Sequence, residues 1–448
     1  MTVATGTNDA TGDDVVEVVS RLIRFDTTNT GDPETTNCEA ECARWVAEQL
    51  AEVGYQPEYL ESGAPGRGNV FVRLEGADNS RGALLIHGHL DVVPAEPADW
   101  SVHPFSGAIE DGYVWGRGAV DMKDMVGMMI VVARQLKRAG IVPPRDLVFA
   151  FLADEEHGGK YGSHWLVDNR PDLFDGVTEA VGEVGGFSLT VPRPDGGERR
   201  LYLIETAEKA IRWMRLTARG QAGHGSMVND QNPVTTLAEA VARLGRHQFP
   251  LVLTDTVVEF LVALSEETGL PFDPEAPDLA GMMDKLGPMA RMLKAILHDT
   301  ANPTMLKAGY KANVIPATAE AVVDCRVLPG RKEAFEAEVD ELIGPDVTRE
   351  WIRDLASYET SFDGDLVDAM NAAVLALDPD ARTVPYMLSG GTDAKAFSRI
   401  GIRCFGFSPL RLPPDLDFAS LFHGVDERVP TDALKFGTEV LAHFLTHC

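Results

Sequence analysis

Cysteine is scarce in this sequence, with five among 448 residues, an odd number. Cys38 and Cys42 are four residues apart, but no second pair of cysteines or histidines follows at the spacing of a cysteine-type zinc site. That class of structural metal site is therefore excluded. We expect free, partly buried thiols in a reducing compartment.

Long hydrophobic runs are missing as well. No uninterrupted apolar segment reaches the roughly 20 residues that a membrane helix requires. Residues 1–14 are small, polar and acidic, without the basic and apolar regions of a signal peptide. The first dozen residues are expected to form a tail, and the protein is expected to be cytoplasmic with no membrane partner.

Basic residues are few, with 40 Lys and Arg against 69 Asp and Glu, which gives a net charge of -29. Nucleic acids and anionic membranes are bound through basic faces, so this charge argues against both partners. An acidic shell is typical of a soluble protein and is not evidence of cationic substrates. The partner we expect is a small-molecule substrate.

Strand-like and helix-like segments alternate along the chain. Ala83 to His87 and the apolar run around Phe149 are typical of buried strands, and Asp121 to Ala139 is a long helical stretch. This alternation predicts an α/β fold with buried central strands. Reactive residues gather at the carboxyl ends of such strands, and His89, Glu155 and Glu183 all follow apolar runs.

The length suits two or three domains, and the pattern changes near Ile204 to Ile211. A clear strand, Ala319 to Val327, is closed by Pro329-Gly330. We therefore expect a first domain in two parts, 1–208 and 329–448, with a second domain, 209–328, inserted between them.

Two short segments carry residues suited to metal chemistry. His89-Leu90-Asp91 places Asp91 where its carboxylate could hold the His89 ring, because alternate residues of an extended chain share a side. Glu155 and Glu156 are adjacent acids after a buried strand. They repel each other and resist burial, so a nearby positive charge is needed, and a divalent cation supplies it best.

Two histidines and three carboxylates stand in such contexts: His89, Asp121, Glu156, Glu183 and His423. That is the ligand mixture of a pair of catalytic zinc ions that share one carboxylate. The expected cofactor is two Zn²⁺. Co²⁺ or Mn²⁺ could take the same ligands, because ligand softness and geometry only favour zinc.

The chain resembles the M20 metallopeptidases in segments that run in order along almost its whole length. The segments are Gly88–Pro94, Gly116–Lys123, Asp154–Glu156, Gly182–Glu183, Gly223–Ser226, Asn313–Pro316, Asp324–Arg326, Gly390–Asp393 and His423–Gly424. The stretch from Lys307 to Asn313 is most similar to the branch of carboxypeptidase S and the N-acyl-amino-acid hydrolases. The resemblance implies a zinc-peptidase-like catalytic domain, a mixed sheet flanked by helices, with an inserted α+β lid or dimerisation domain.

The same resemblance implies roles for individual residues. One zinc would be held by His89, Asp121 and Glu183, and the other by Asp121, Glu156 and His423. Asp91 would support His89, Glu155 would be the general base, and His224 would stabilise the oxyanion, from the same chain or from a partner in a homodimer. Arg326, Asn313, Gly391 and Thr392 would bind the substrate, with Arg326 on its carboxylate. A cis peptide is expected between Asp121 and Met122.

The predicted function is hydrolysis of the amide bond of short peptides or N-acyl amino acids that carry a free C-terminal carboxylate. A biosynthetic deacylase, of the acetylornithine or succinyl-diaminopimelate type, is the alternative among enzymes. A binding or scaffold protein without catalysis is the alternative from another class, and metal content with chelator-sensitive hydrolysis separates it from an enzyme. The Met-rich stretch between Leu251 and Leu306 suits an apolar acyl group, but equally suits core packing.

Overall fold

The computed structural model describes residues 14–277, 279 and 289–448. The tail expected over the first dozen residues lies outside these ranges, as does the part of the Met-rich stretch between 280 and 288. The described chain contains a ten-stranded mixed sheet and a four-stranded antiparallel sheet. This α/β architecture confirms the predicted fold class.

Nineteen strands are numbered here in chain order. They are β1 (Glu58–Glu61), β2 (Gly68–Leu74), β3 (Ala83–His89), β4 (Ala108–Glu110), β5 (Tyr113–Trp115), β6 (Leu147–Leu152), β7 (Val177–Gly182), β8 (Ser188–Pro192), β9 (Glu198–Glu208), β10 (Ala210–Arg219), β11 (Gly223–His224), β12 (Thr300–Ala308), β13 (Val314–Ile315), β14 (Thr318–Val327), β15 (Val347–Leu355), β16 (Tyr358–Glu359), β17 (Arg382–Leu388), β18 (Arg403–Gly406) and β19 (Arg428–Pro430).

The α-helices in the described ranges are numbered in the same way. They are α1 (Val15–Ile23), α2 (Ala40–Glu52), α3 (Lys123–Ala139), α4 (Ser163–Asn169), α5 (Pro233–Arg246), α6 (Asp255–Thr268), α7 (Met289–Ile296), α8 (Lys332–Ile343), α9 (Asp365–Leu377), α10 (Ala394–Ser398) and α11 (Thr431–His447). None of these is both long and apolar enough to cross a membrane.

The large sheet runs in the order β1-β2-β6-β3-β7-β18-β9-β16, with β8 and β17 also paired to β9. Its centre is parallel, since β3 pairs in parallel with both β6 and β7. Every residue of β3 and β6 is buried, because helices cover both faces. Alternate residues therefore enter different cores: Leu84 and Ile86 join the cluster under α1, α3 and α11, and Ala83 and Leu85 join the cluster under α4 and α10.

The small sheet has the order β12-β14-β10-β15. Helices α5 and α8 cover one of its faces, where Leu237 and Phe335 pack against Met214 and Val323. The opposite face carries the odd-numbered residues of β10, starting with Ile211, and faces the large sheet near Glu155.

Sheet pairing differs from the predicted domain division at two points. β15 pairs with β10, so the small sheet continues to Leu355 instead of ending at 328. Pro329-Gly330 is a turn between β14 and α8 inside that unit, closed by a hydrogen bond from Arg331 N–H to Leu328 C=O. Helices α6 and α7, which lie within 209–328, pack on the large sheet against Leu203 of β9 and Val384 of β17.

Candidate metal centre

Three neighbouring parallel strands end at one edge of the large sheet, and each delivers a polar side chain there. His89 is the last residue of β3, Glu155 and Glu156 follow β6 in a short 3-10 turn, and Glu183 directly follows β7. Because β6, β3 and β7 are adjacent and parallel, these residues converge. These side chains were expected to follow the carboxyl ends of buried strands, and they lie there in the structure.

His89 points its Nε2 at two carboxylates. The distance to Asp121 Oδ1 is 3.1 Å, and the distance to Glu183 Oε2 is 3.5 Å. Asp121 stands just before α3, and the peptide bond to Met122 is cis, as expected. The side chains of Asp121 and Glu183 thus both lie close to the His89 Nε2.

His423 makes the equivalent contacts on the other side of Asp121. Its Nε2 lies 3.2 Å from Asp121 Oδ2 and 3.2 Å from Glu156 Oε2. The two oxygens of Asp121 therefore face different histidines. A bridging carboxylate between two cations has this arrangement.

Ligand atoms that lie within 4.8 Å of one another also form two overlapping groups, His89 with Asp121 and Glu156, and His89 with Glu155 and Glu183. By distance alone, Glu155 is a possible ligand, so distance does not distinguish its role from that of Glu156 or Glu183. The contacts of the two Asp121 oxygens account for both histidines.

The chemistry of these groups fits a cation. Burial raises the pKa of Glu156 to about 7 and that of Glu183 to about 8. Hydrogen bonds to Asp121 and Glu156 raise the pKa of His423 to about 10. Glu156 Oε1 is buried without a hydrogen-bond partner, and no lysine or arginine in the described ranges forms an ion pair with Glu155, Glu156 or Glu183. Divalent cations would offset this concentrated negative charge.

Asp91 was expected to hold the His89 ring with its carboxylate, but its carbonyl lies closer to the ring. The His89 Nδ1 is 2.9 Å from the Asp91 backbone carbonyl but 3.6 Å from its carboxylate. That carboxylate instead accepts hydrogen bonds from the backbone N–H groups of Glu155 and Glu156, at 3.0 and 3.1 Å. One residue therefore orients His89 through its carbonyl and the two glutamates through its side chain.

Glu427 is a supporting residue that the sequence reasoning missed. Its buried carboxylate accepts hydrogen bonds from the backbone N–H groups of Val120 and Asp121 and from Arg117 Nη1. Arg117 Nη2 also donates to the His423 carbonyl at 3.3 Å. Glu427 thus joins the loop before Asp121 to the loop that carries His423. Its place four residues after His423 was the only signal in the sequence.

Glu155 lies beside the centre without contacting a histidine. Burial, followed by the charge of Glu183, raises the pKa of Glu155 well above its usual range. The residue lines a cavity of about 20 Å³ between the two sheets, which Gly391 and Thr392 of the opposite loop also line. A carboxyl in this position can take up and release a proton near the metal centre.

The expected substrate-binding residues are only partly brought together. His224 and Asn313 are exposed on the two-stranded ribbon of β11 and β13, and in the described ranges neither contacts the candidate ligands. The guanidinium of Arg326 is paired with Asp324, at 2.7 and 3.0 Å. The Thr392 hydroxyl donates to the carboxylate of Glu208, at 2.6 Å, so this donor is already used.

The model of peptidase family M20/M25/M40 matches residues 85–447. The chain belongs to this family. It is therefore a hydrolase that acts on peptide or related amide bonds, as the sequence predicted.

Relatives in this family resemble the chain over most of its length. The N-fatty-acyl-amino acid synthase/hydrolase PM20D1 of Xenopus tropicalis is 27% identical over 440 residues, which cover 94% of this chain and 83% of the relative. Aminoacylase-1 of Sus scrofa is 27% identical over 418 residues, which cover 90% of this chain and 88% of the relative.

Solved structures share the fold. The M20 metallo-carboxypeptidase Sso-CP2 of Sulfolobus solfataricus superposes with a TM-score of 0.69 at 17% identity, covering 97% of this chain and 99% of that chain. Human carnosine dipeptidase 1 gives a TM-score of 0.67 at 17% identity, covering 97% and 96%. These likenesses bear on the architecture alone.

Proposed function

We propose that the chain is a di-zinc hydrolase that cleaves short peptides or N-acyl amino acids carrying a free C-terminal carboxylate. The observation that carries this proposal is the contact of each Asp121 oxygen with a different histidine. His89 and Glu183 would complete one ion, and His423 and Glu156 the other. Zinc suits this mixture of imidazole and carboxylate, and cobalt or manganese could replace it.

Bound metal ions would supply Lewis acidity, which lowers the pKa of a bound water and polarises the substrate carbonyl. Glu155 would accept the proton of the attacking water at its carboxylate. It would then donate that proton to the nitrogen of the leaving amine, since protonation is needed for the amine to depart. Asp91 keeps the backbone of Glu155 in place for both transfers.

The relatives support an N-acyl amino acid or a short peptide as substrate. Their names describe the hydrolysis of N-fatty-acyl amino acids and the activity of an aminoacylase. No contact in the described ranges favours a small biosynthetic deacylase substrate.

We also propose that the active form is a homodimer in which the partner's copy of His224 completes the oxyanion site. His224 is exposed on the ribbon of β11 and β13, and no contact in the described ranges joins it to Glu155. Met227 and Val228 beside it are exposed, as are Met305 and Leu306 on the edge strand β12. Exposed apolar side chains on an unpaired strand edge are typical of an interface between subunits.

A cytoplasmic location agrees with the thiols. All five cysteines are free, and four of them are buried. Unpaired cysteines are typical of a reducing compartment.

A hydrolysis panel with metal analysis tests the proposed function. Dipeptides, N-acetyl amino acids, long-chain N-acyl amino acids and acetylornithine are offered to one preparation, whose zinc, cobalt and manganese contents are measured. We expect two metal ions per chain and turnover of at least one dipeptide, or of an N-acyl amino acid other than acetylornithine, abolished by EDTA and restored by zinc. Turnover that survives complete metal removal, or turnover of acetylornithine alone, would contradict the proposal.

A further inference from the structure

Six side chains at one end of the small sheet form two rows on its helix-free face. One row is Arg326, Ile211 and Leu355, and the next is Asp324, Trp213 and Arg353, across strands β14, β10 and β15. Directly paired residues of antiparallel strands point to the same side of the sheet. Ile211, Leu355 and Arg353 line the cavity beside Glu155, so this face looks onto the catalytic base.

Two cations near this cavity already have partners. Arg326 forms a two-bond fork with Asp324. Lys395 is paired with Glu208 at 2.9 Å, and it donates to the carbonyls of Lys209 and Ala356 at 2.8 and 3.1 Å. These contacts use all three N–H bonds of the Lys395 ammonium group, and they use the Nε hydrogen and one Nη2 hydrogen of Arg326.

Arg353 is placed differently. Its guanidinium carbon lies 4.7 Å from the centre of the Trp213 ring, and a Cβ added at Gly158 would overlap its Nη2. No carboxylate forms an ion pair with it in the described part of the chain, and the buried indole N–H of Trp213 has no acceptor there either. Burial lowers the pKa of Arg353, with Glu155 opposing this effect.

A charged guanidinium held between an aromatic ring and a glycine, with its N–H edge unused, is suited to bind an anion in a fork. The charge of the diagonal neighbour Arg326 is already offset by Asp324, whereas no carboxylate in the described ranges is paired with Arg353. The anion that the proposed function brings to this place is a carboxylate of the substrate.

We propose that Arg353 binds a carboxylate of the substrate's amino-acid portion, so that β15 supplies the anchor expected from Arg326 on β14. This inference rests on the proposed function. The cavity of about 20 Å³ has room for about one water, so the guanidinium must move off Gly158 as the substrate enters. Gly158 leaves that path open because it has no side chain.

The test compares substrates with and without the α-carboxylate. Acetate release is measured from N-acetyl-L-leucine, N-acetyl-L-leucinamide and N-acetyl-L-glutamate by the wild type, Arg353→Gln and Arg353→Lys. The control is Arg215→Gln, because Arg215 lies on the same face, further from Glu155, and is paired with Glu350 at 3.3 Å. Thermal unfolding confirms that each variant is folded.

We expect Arg353→Gln to lower kcat/KM for the free acid by about 10–100-fold, the effect of losing a charged hydrogen-bonded pair. The lower kcat/KM should come from a higher KM. Hydrolysis of the amide substrate should be unchanged, and Arg353→Lys should recover part of the lost kcat/KM. A loss confined to N-acetyl-L-glutamate would also support the proposal and would identify the side-chain carboxylate as the ligand. Equal losses for acid and amide, or no loss beyond that of Arg215→Gln, would overturn it.

A binding measurement keeps this inference separate from the proposed function. If the zinc-loaded wild type hydrolyses no substrate, the proposed function fails, but L-leucine can still be titrated by calorimetry into the wild type and Arg353→Gln. Weaker binding to Arg353→Gln would support Arg353 as a carboxylate anchor, and equal affinity, or no binding to either protein, would overturn it.

Discussion

Glu427 holds the bridging residue of the candidate metal centre through its backbone: the carboxylate accepts a hydrogen bond from the Asp121 N–H at 3.2 Å. The same carboxylate pairs with Arg117 at 2.7 Å, and both side chains are buried. The two neighbouring acidic residues have different contacts. The Asp121 carboxylate contacts the two histidines, and the Glu427 carboxylate contacts Arg117 and the Asp121 backbone.

Glu427→Gln should weaken metal binding by about 10–100-fold, because it removes the charge that orders the Asp121 loop. It should also destabilise the fold by about 3–5 kcal/mol, because Arg117 is left buried without its partner. Competition with a chelator measures the first effect and urea unfolding the second. Glu439→Gln on the exposed face of α11 is the control, and identical behaviour of the two variants would contradict the assigned role.

Glu155→Gln should leave two ions bound while kcat falls by about 10²–10⁴-fold, since the amide cannot take up the water proton. Glu156→Gln, the adjacent residue, should instead lose metal, because its Oε2 lies beside His423. Metal analysis and turnover on the same samples separate the two outcomes. Near-normal turnover of Glu155→Gln would remove Glu155 as the base.

His423→Ala should reduce the metal content from two ions to one, since only the site shared with Glu156 loses its imidazole. The exposed His103 offers a matched control, so His103→Ala should keep both ions. Metal is measured by atomic absorption after dialysis. Full retention of both ions in His423→Ala would exclude His423 as a ligand.

Removal of metal should make stability depend on pH. The pKa values of Glu156 and Glu183 are raised to about 7 and about 8, so burying their charged forms costs stability as pH rises from about 4.5 to 8. His423 acts in the same direction: its raised pKa, about 10, gives stability that is complete below about 6.5 and is lost as pH rises through 10.

The melting temperature of EDTA-treated protein should therefore fall between pH 5 and pH 8, while the zinc-loaded protein should change much less over this range. Thermal scans at constant ionic strength measure both curves. Parallel curves would mean that the metal does not offset these charges.

His224→Ala and Glu155→Gln should each be inactive alone, yet their mixture should regain activity if His224 serves the partner's site. A mixed dimer has one site with both residues intact, so random exchange should restore about a quarter of wild-type turnover. Subunits are exchanged in mild denaturant, and dimer content is measured by light scattering. A mixture that stays inactive despite mixed dimers would place His224 outside the partner's site.

Much of the candidate centre could be predicted because four of its ligands, His89, Asp121, Glu156 and Glu183, follow an apolar strand or precede a helix. His89, Glu155 and Glu183 lie at the ends of adjacent parallel strands, and that placement depends only on local hydrophobic pattern and sheet topology. The same reasoning predicted the α/β fold, which the structure confirms. The family segments then linked His423 to the others, although it lies far away in the chain.

Contacts that depend on register or on loop packing could not be predicted. The two-residue spacing of His89 and Asp91 does not reveal whether a carbonyl or a carboxylate is nearer the ring. Arg326 was the expected anchor from its motif, but its pairing with Asp324 and the position of Arg353 follow from strand alignment. The pairing of β15 with β10 could not be predicted for the same reason, because β15 joins the small sheet from beyond a turn.

The strands connect directly from one sheet to the other at Lys209 and at Ala356, and the ammonium group of Lys395 donates to the carbonyls of both residues. Lys395 also lies in the first turn of α10, directly after the glycine-rich loop that contains Gly391. A chimaera that exchanges the small sheet for that of a relative must therefore keep both crossing points in register with this single lysine. If a graft displaces one of these crossing points, both sheets would still form, but the loop that contains Gly391 would be distorted.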